Sequence, residues 1–406
     1  MRKTQGLKWV TVVAFLLMVA VGTVASFVLP QREYSDRENR MLCTRPEFDW
    51  RDVLKGSYQK QYEKSLSDQI FWRDKWTALS SEVQKIMGNK DINGVYVGAD
   101  GYLLEKYKKK DFKGSRIREN ATQLADFMDE IAFAYGSEHV SCMMIPSKTS
   151  VMSDKLPAHA WVYDEGKVVA KVEKRLSDAD LLFDASQILG EHADEYIFYR
   201  TDHHWTTLGA YYAYSAWAEK MGLEPGRLQE YQREMVFDDF YGTTFNKAHI
   251  HVPEDRVELF HHQGEAGITV VEDDGEVTAD SVYFPKEAEK GFNRYDVFFS
   301  KNTFKITIET GAETGRTLLV IKDSFANCFV PFLLQDFDEI IMLDYRYGKE
   351  PVGQILNQYP EVTDILVMYN TYKFAGDTNL RYLNIRDKKE SSMEEFDAEE
   401  FFSELE

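Results

Sequence analysis

The sequence predicts an α/β fold built on a largely parallel sheet, because short apolar runs alternate with amphipathic stretches in its last third. The chain of 406 residues is 44% hydrophobic and 14% aromatic, which is enough to build a large core. A single uncharged stretch at residues 9–29 stands apart from that core. In the last third the predicted strands are 317–321, 339–343 and 365–369, and the predicted helices between them are 325–334 and 352–359.

The stretch at residues 9–29 (WVTVVAFLLMVAVGTVASFVL) has about the 20-residue length that spans a bilayer as a helix. Basic residues precede it, so the positive-inside rule places residues 1–8 in the cytoplasm and the main domain on the extracytoplasmic side. A cleaved signal peptide is the alternative, since residues 24–26 resemble a cleavage site, but the stretch exceeds the roughly 7–15 residues of a signal h-region. We therefore expect a single-pass anchor in the cell membrane, followed by a stalk at residues 30–50.

Residues 51–387 are predicted to form one extracytoplasmic α/β domain. Helices are predicted where apolar residues recur at helical spacing, and strands where they form short runs or alternate with polar residues. A segment of β-type patterning at about 238–310 is expected to be an insertion, and residues 388–406 a solvated acidic tail. The predicted helices in the first part of the domain are 54–76, 115–135 and 208–221, the strands are 139–145 and 181–184, and a hairpin with an Ala-Asp-Gly turn lies at 93–104.

Charge and cysteine content exclude several classes of function. A net charge of −20 lacks the basic footprint that nucleic acid requires, so no nucleic-acid partner is expected. The three cysteines, Cys43, Cys142 and Cys328, have no CxxC spacing and are too few for a disulfide framework. The sequence still allows one disulfide between two of them. No cofactor is expected.

Two short segments carry the side chains of a serine hydrolase or acyltransferase: Thr201-Asp202-His203-His204-Trp205 and Lys322-Asp323-Ser324-Phe325. A serine is activated when a hydrogen-bonded imidazole removes its proton, and a carboxylate holds that imidazole in the required tautomer. Asp202 and His204 are two residues apart and point the same way in extended backbone. We therefore predict Ser324 as the nucleophile, His204 as the base and Asp202 as the orienting acid.

The same residues also allow simpler roles. Ser324 follows a predicted strand and opens a predicted helix, so it could be only an N-cap, and residues 201–204 could form only a polar turn. Two histidines beside an aspartate also suggest a metal site, but no complete ligand spacing such as HExxH is present, and no metal is predicted. The histidines considered as further ligands are His249, His251, His261 and His262.

The position of Ser324 adds to the catalytic interpretation. Ligands of open α/β sheets bind beyond the carboxyl ends of the strands, where Ser324 is expected. A helix N-terminus there would supply N–H groups of the kind that stabilise a developing oxyanion. Asn327, His203 and Lys148 are the further candidates for contacts with the oxyanion or the substrate.

The segment Thr201–Thr206 resembles the signature of the DHHW protein family of bacterial cell-envelope proteins. That family is similar to the SGNH-hydrolase-like proteins of alginate O-acetylation, which carry an Asp-x-His-Trp motif ahead of a distal serine. The resemblance implies a circularly permuted SGNH-type fold, and it gives Asp202, His204 and Ser324 the same roles. Lys322 stands where a typical SGNH serine block has a glycine that contributes to the oxyanion site. Further segments that look like family landmarks are 37–40, 68–73, 94–98 and 146–149.

The function that this resemblance implies is acyl-ester chemistry outside the cytoplasm. The first hypothesis is an O-acetyltransferase that acts on a cell-surface or secreted polysaccharide through an acyl-Ser324 intermediate, with a polytopic membrane acyltransferase as the source of acyl groups. A polysaccharide acetylesterase would use the same intermediate with water as the acceptor. A third hypothesis is a non-catalytic glycan-binding or assembly protein of the cell envelope, for which the 23 Tyr, 26 Phe and 7 Trp would offer stacking surfaces.

Overall fold

The structure, a computed structural model, describes the chain from residue 2 to residue 385 with short gaps. Its described chain divides into two compact units, the first made of residues 1–93 and 245–251 and the second of the remainder. Residues 51–93, expected in the main domain, therefore cluster with the N-terminal segment. The predicted tail at 388–406 and residues 37–39 lie outside the described residues. The described ranges are 2–35, 40–262, 267–272, 277–291, 293–300 and 302–385.

The strands are numbered in chain order. They are β1 (Tyr34–Ser35), β2 (Arg40–Met41), β3 (Asp91–Ile92), β4 (Val95–Val97), β5 (Leu103–Glu105), β6 (Val140–Ile145), β7 (Leu182–Asp184), β8 (Gln232–Phe240), β9 (Asp255–His261), β10 (Thr269–Glu272), β11 (Val277–Ala279), β12 (Lys305–Glu309), β13 (Thr317–Lys322), β14 (Glu339–Leu343) and β15 (Asp364–Asn370).

The α-helices are numbered in the same way. They are α1 (Arg2–Val28), α2 (Trp50–Lys55), α3 (Ser57–Asp68), α4 (Arg73–Ile86), α5 (Gly114–Tyr135), α6 (Lys148–Val151), α7 (Gly166–Glu173), α8 (Ser186–Glu191), α9 (Thr207–Lys220), α10 (Thr243–Ala248), α11 (Pro285–Lys290), α12 (Ala326–Phe329), α13 (Val352–Gln358) and α14 (Thr371–Gly376).

The second unit is built on one large sheet with the strand order β11-β10-β12-β14-β13-β15-β6-β7. Strands β14, β13, β15, β6 and β7 pair in parallel, which confirms the parallel-sheet core predicted from the alternation of strands and helices. Strands β12, β10 and β11 add an antiparallel edge. The segment predicted as an insertion thus supplies strands that extend the main sheet. Circular permutation of the fold stays a prediction.

Alternation along the strands gives the sheet two apolar faces. Leu318 and Val320 of β13 point into one core cluster, which includes Trp217 of α9. Leu319 and Ile321 point into the other, which is covered by α5, α7 and α13. The second unit is therefore a three-layer α/β/α structure, with the carboxyl ends of its parallel strands free to build a site.

The single helix predicted at 54–76 is wrong. The structure has α2, α3 and α4 in this region, with breaks at Gly56 and at residues 69–72. Gly56 ends α2 with a φ of 74°, a left-handed conformation that glycine adopts without a Cβ penalty. Helical spacing of apolar residues continues across both breaks, so periodicity alone did not reveal them.

The helix predicted at 325–334 is also shorter than expected. Helix α12 ends at Phe329, and a 3-10 helix at Val330–Leu333 follows it. Pro331 lies in this second segment and has no N–H to donate to the preceding turn, which explains the change of helix type.

Helix α1 is the one helix among the described residues that is long and apolar enough to cross a membrane, and its apolar window at Lys8–Val28 has a mean hydropathy of 2.4. A helix of this kind near an N-terminus serves as an anchor or as a signal sequence. Its expected use as an anchor, and the orientation of the chain, stay predictions.

Candidate active site

The DHHW segment forms a tight loop in front of α9. An antiparallel bridge pairs Phe198 with Trp205, so residues 202–204 lie at the tip of the loop. Thr206 caps α9, because its hydroxyl oxygen accepts the N–H of Gly209 at 3.3 Å. The loop is thereby fixed at both ends by hydrogen bonds of its own backbone and cap.

The carboxylate of Asp255 holds the base of this loop. Asp255 is fully buried, and its carboxylate accepts the N–H groups of Arg200 and Thr201 at 2.8 and 2.7 Å. It also accepts the hydroxyl groups of Tyr196 and Thr201, both at 2.5 Å. Hydrogen bonds to a charged group are the strong ones, and four of them compensate the desolvation of this carboxylate. Sequence reasoning missed Asp255, which lies 54 positions from Thr201 and outside any motif.

Asp202, His204 and Ser324 are in hydrogen-bond contact in the predicted order. Nδ1 of His204 lies 2.6 Å from Oδ1 of Asp202, and Nε2 of His204 lies 2.8 Å from Oγ of Ser324. All three residues are buried. Because a carboxylate only accepts hydrogen bonds, Nδ1 carries the imidazole proton, and the lone pair of Nε2 faces the Ser324 hydroxyl. This arrangement can remove the hydroxyl proton as the oxygen attacks an electrophile.

The Asp202 carboxylate is kept ionised. Burial alone would raise its pKa, but the imidazoles of His203 and His204 and the hydrogen bonds from His204 hold that pKa well below its usual range. Oδ1 of Asp202 also accepts the backbone N–H of His204 at 2.9 Å. Oδ2 accepts the N–H and the hydroxyl of Thr243 at 2.7 and 2.8 Å. A carboxylate held by four donors keeps its imidazole in one orientation.

Ser324 lies in the turn after β13, at the carboxyl edge of the parallel sheet. The carboxylate of the preceding Asp323 accepts the N–H of Phe325 at 2.9 Å and the N–H of Asn370 at 2.8 Å. These two bonds join the serine turn to the end of β15. The sheet itself thus positions Ser324, directly after a buried strand.

Tyr295 covers one side of the site. Its ring stacks on the imidazole of His204, with ring centroids 3.9 Å apart and an interplanar angle of 4°. Its hydroxyl donates to the carbonyl oxygen of Ser324 at 3.0 Å. Burial raises the pKa of Tyr295 well above its ordinary value, so the hydroxyl stays a donor. Tyr295 therefore contacts both His204 and Ser324, and sequence reasoning missed it because it belongs to no motif.

His203 makes a different set of contacts. Its Nδ1 lies 2.7 Å from Oγ1 of Thr243, whose single hydroxyl proton is donated to Asp202. Oγ1 of Thr243 must therefore accept, so the proton of His203 is on Nδ1. Burial, together with the nearby His204, lowers the pKa of His203 to about 3, which keeps the ring neutral. His203 can thus offer Nε2 as an acceptor to a substrate hydroxyl, but it has no donor for an oxyanion.

Lys148 lies behind the DHHW loop. Its Nζ donates to the backbone carbonyl oxygens of Tyr199, Arg200 and Asp202, at 3.0, 3.1 and 2.5 Å. Burial lowers the pKa of Lys148 to about 8, although the carboxylates of Asp255 and Asp202 act in the opposite direction. Its three donors are used by the loop backbone, so Lys148 supports the loop from behind.

Asn327 is engaged with Lys322, the residue that replaces the glycine of the typical serine block. Oδ1 of Asn327 accepts Nζ of Lys322 at 2.6 Å, and its Nδ2 donates to Asn302 at 3.2 Å. Burial lowers the pKa of Lys322 to about 8, while Asp344, 3.6 Å away, opposes that shift. The backbone N–H groups of residues 325–327 are also bonded within the turn. The N–H groups of residues 325–327 are therefore engaged within the turn, whereas Nδ2 of Asn327 has a second proton to donate.

Gly242 makes room for Asp202. A Cβ on Gly242 would lie 2.3 Å from Cβ of Asp202 and 2.5 Å from its Oδ2. The N–H of Gly242 donates to Oγ1 of Thr201 at 3.0 Å, which sets this close approach. Sequence reasoning missed Gly242 and Thr243, since 41 positions separate Thr243 from Asp202.

Asp202, His203 and His204 are also the described residues whose ligand atoms lie close enough to share a metal ion, within 4.8 Å of one another. Their geometry favours a proton relay, because the carboxylate oxygens face four hydrogen-bond donors and Nε2 of His204 faces Ser324. The histidines considered as further ligands are outside this group, with His249 and His251 in the first unit and His261 and His262 in the second.

A cavity of about 360 Å³ lies at the same edge of the sheet. Asp323, the residue before Ser324, lines it, whereas Ser324, His203 and His204 do not. Tyr372 gives it an aromatic wall. Arg346 and Lys373 add positive charge, and the charge of Lys373 also acts on His203. The cavity thus combines hydrogen-bonding groups of both signs with an aromatic surface.

Known proteins resemble this chain in the region that contains Asp202, His204 and Ser324. The family model described as DHHW protein matches residues 168–343, which include Asp202, His204 and Ser324. The predicted resemblance to the DHHW family is confirmed. A solved DHHW family protein from Eubacterium siraeum DSM 15702 is 24% identical, with a TM-score of 0.60, and the match covers 73% of this chain and 97% of that one.

The search of solved structures also found PatB1 and AlgJ. Bacillus cereus PatB1, solved with a sulfonyl adduct, is 22% identical with a TM-score of 0.56, over 72% of this chain and 97% of that one. The O-acetyltransferase domain of Pseudomonas putida AlgJ is 15% identical with a TM-score of 0.42, over 73% and 96%. A search of curated proteins found no match. The DHHW-family structure and PatB1 share the fold of this chain.

Proposed function

We propose that this chain is a serine acyl-ester enzyme in which Ser324 carries the acyl group as a covalent intermediate. The observation that carries the proposal is the relay in which His204 contacts Ser324 at 2.8 Å and Asp202 at 2.6 Å. Capping would account for Ser324 alone, and a polar turn would account for the DHHW loop alone. Neither role requires the two segments to meet across 120 positions with an imidazole in the correct tautomer between them.

In the first step, Oγ of Ser324 attacks the carbonyl carbon of an acetyl ester while Nε2 of His204 takes the hydroxyl proton. The tetrahedral intermediate collapses, the ester C–O bond breaks, and His204 returns the proton to the departing oxygen. Asp202 stabilises the imidazolium that exists between these events. The products are acetyl-Ser324 and the alcohol of the donor.

In the second step, a hydroxyl of the acceptor attacks acetyl-Ser324. His204 takes the proton of that hydroxyl and delivers it to Oγ of Ser324 as the acyl bond breaks. The neutral ring of His203 lies beside the base, with ring centroids 3.9 Å apart. Its Nε2 is suited to accept a hydrogen bond from the incoming hydroxyl and to hold it near His204.

We favour transfer to an alcohol over hydrolysis, because little of the site is exposed to solvent. Ser324 is 7% exposed, His204 is 5% exposed and Asp202 is fully buried. Tyr295 covers the imidazole. An acyl intermediate survives long enough to meet a sugar only where water is kept away from it.

We further propose a polysaccharide as the acceptor and the extracytoplasmic face of the cell membrane as the place of reaction. The Asp-x-His-Trp motif resembles that of alginate O-acetylation proteins, and the cavity lined by Tyr372, Arg346 and Lys373 offers stacking and hydrogen bonding to a sugar. Helix α1 would anchor the chain there. Acyl groups would then have to come from a donor on that side, such as a polytopic membrane acyltransferase.

The test is turnover of p-nitrophenyl acetate by the full-length protein in detergent, with and without oligosaccharide acceptors, scored for free acetate and for acetylated sugar. We expect acetylated sugar to form and Ser324→Ala to abolish it, while the matched control Ser186→Ala, an exposed serine, keeps full activity. Acetate without acetylated sugar would favour an acetylesterase. Turnover that survives Ser324→Ala would overturn the serine mechanism, and binding of a glycan without any turnover would favour a non-catalytic role.

A further inference from the structure

Helix α4 in the first unit carries an exposed apolar stripe. Trp76, Leu79, Val83 and Ile86 recur at spacings of three and four residues, so they share one face of the helix. Trp72, directly before the helix, extends this stripe. These five residues are between 41% and 83% exposed. Single exposed apolar residues are ordinary, but a continuous stripe marks an interaction surface.

The opposite face of α4 is the packed one, and it is polar. Ser81 is fully buried, and its Oγ accepts a hydrogen bond from Nδ2 of Asn93 at 3.0 Å. A surface helix of a soluble protein packs its apolar stripe and exposes its polar face. Helix α4 does the reverse, which indicates that the environment of the stripe is itself apolar.

The start of α4 is bonded to the end of α1, the helix of membrane-spanning length. The N–H of Phe71 donates to Oγ of Ser26 at 2.9 Å, and Ser26 lies in the last turn of α1. The side-chain amide of Gln69 exchanges two hydrogen bonds with the backbone of Arg32, at 2.9 and 2.8 Å. Residues of both segments line a cavity of about 410 Å³. The apolar stripe therefore begins where the membrane-length helix ends.

We propose that α4 lies in the membrane interface, with its apolar stripe immersed in the phospholipid beside α1. A helix that spans a bilayer ends near the headgroups, so a segment bonded to that end lies at the same depth. The stripe opens with Trp72 and Trp76, and tryptophan is enriched at membrane interfaces. Interfacial helices combine an apolar face of this kind with basic residues beside it.

The charges of α4 suit a lipid surface better than those of the whole chain. Basic side chains outnumber acidic ones in this helix, whereas the net charge of the chain is −20. Nζ of Lys75 lies 4.8 Å from the ring centroid of Trp72, at the border of the stripe. Positive charge at that position favours anionic headgroups. The basic residues of α4 are Arg73, Lys75 and Lys85, and its acidic residues are Asp74 and Glu82.

Attachment through both α1 and α4 would restrict the orientation of the first unit on the bilayer more than attachment through α1 alone. A chain held only by α1 could tilt and rotate, but an interfacial helix that is bonded to the end of α1 sets one orientation of this unit on the membrane. The proposal concerns this attachment alone and is independent of the chemistry at Ser324.

A second copy of the chain is the competing occupant of the stripe. Spacings of four and three residues also suit the seam of a coiled coil. Helix α4 has 14 residues, about two heptads, which is short for a stable helix pair. The contact between Phe71 and Ser26 favours lipid, since it places the stripe at the end of α1 whatever the oligomeric state.

The test is spin labelling of the full-length protein in vesicles of phosphatidylcholine and phosphatidylglycerol. Labels at Leu79→Cys and Val83→Cys report the stripe. Ser80→Cys is the matched control beside the stripe, about 100° around the helix from Leu79 and about 60° from Val83. These three side chains are exposed, so the label displaces no packed group. Cys43→Ser removes the partly exposed native thiol. Collision with oxygen reports lipid, and collision with a nickel chelate reports water.

We expect the labels at Leu79 and Val83 to collide with oxygen at least several-fold more, relative to nickel, than the label at Ser80 does. High nickel collision at both stripe positions would overturn the proposal, because the stripe would lie in water. Low collision with both reagents, with dipolar broadening between labels, would assign the stripe to a second copy and would also overturn it. Low collision without broadening would place the stripe against protein, with the same consequence.

Discussion

His204 and Ser324 are 120 positions apart in the sequence, yet Nε2 of the one lies 2.8 Å from Oγ of the other. Two buried carboxylates hold the two segments in place by hydrogen bonds. Asp255 holds the DHHW loop, and Asp323 joins the serine turn to the end of β15. Tyr295 then links the two segments by stacking on one and bonding to the other.

Asp202→Asn should lower kcat on the order of 10⁴-fold while leaving the protein folded. An amide at this position can donate a hydrogen bond to Nδ1 of His204, which stabilises the tautomer that has its proton on Nε2 and cannot act as a base. The measurement is kcat for acetyl-ester turnover, with thermal unfolding as the check on the fold. Asp184→Asn, at an exposed aspartate, is the control. A loss smaller than about tenfold would contradict the role of Asp202 as the orienting acid.

Phenylalanine substitutions distinguish the roles of His203 and His204, since a phenyl ring can preserve the stacking contacts of each imidazole. His204→Phe should abolish acetylation of Ser324, because removing a general base costs about 10²–10⁴-fold. His203→Phe should still form the acetyl-enzyme and should instead slow transfer to a sugar, because it removes the acceptor Nε2. It also removes the hydrogen bond from Nδ1 to Thr243, but the four donors to Asp202 stay in place. Pre-steady-state and steady-state rates measure the two steps. The reverse assignment of defects would show that His203 is the base.

Gly242→Ala should inactivate the protein, since the new Cβ would lie 2.3 Å from Cβ of Asp202. Relief of that clash must move either the carboxylate or the backbone that bonds it. Gly190→Ala is the matched control, because a Cβ there meets nothing within 4 Å and alanine favours its helix, α8. Activity and melting temperature are the measurements. Full activity in Gly242→Ala would mean that Asp202 need not occupy its observed position.

Asp296 should make stability depend on pH. Burial raises the pKa of Asp296 to about 7, and the charge of Asp202 adds to the shift, while a hydrogen bond from Asn293 opposes it. The unfolded value is about 3.9, so between these pH values the folded state binds more protons and stability falls as pH rises. Asp296→Asn should therefore stabilise the protein by roughly 2–4 kcal/mol at pH 8 and change little below pH 4.

Urea unfolding at both pH values measures this effect, with Asp126→Asn, at an exposed aspartate of α5, as the control. An equal effect of Asp296→Asn at the two pH values would refute the assignment of the pH dependence to this carboxyl group.

Much of the fold could be predicted from local pattern. Strand β14 occupies the predicted 339–343, and the helix predicted at 115–135 begins one residue earlier, as α5. Strand order could not be predicted, because β13 pairs with both β14 and β15 through contacts that periodicity does not encode. Breaks such as Gly56 were missed because apolar spacing continues across them.

The relay could be predicted because Asp202 and His204 share one short motif and Ser324 follows a buried strand. The groups that hold it could not be predicted. Asp255 and Tyr295 act through contacts with segments that are 54 and 29 positions away, and neither residue belongs to a motif. The contact between Asn327 and Lys322 could not be predicted either: Lys322 is buried and requires acceptors, and Oδ1 of Asn327 is one of them.

Whether Ser324 carries an acyl group can be read from the mass of the full-length protein, acid-quenched at intervals after mixing with an acetyl ester. We expect one added acetyl group per chain, located on the peptide that contains Ser324, absent from Ser324→Ala and lost on addition of an acceptor oligosaccharide. A folded protein that never acquires acetyl on Ser324, or a Ser324→Ala variant that acquires as much as the wild type, would contradict this expectation.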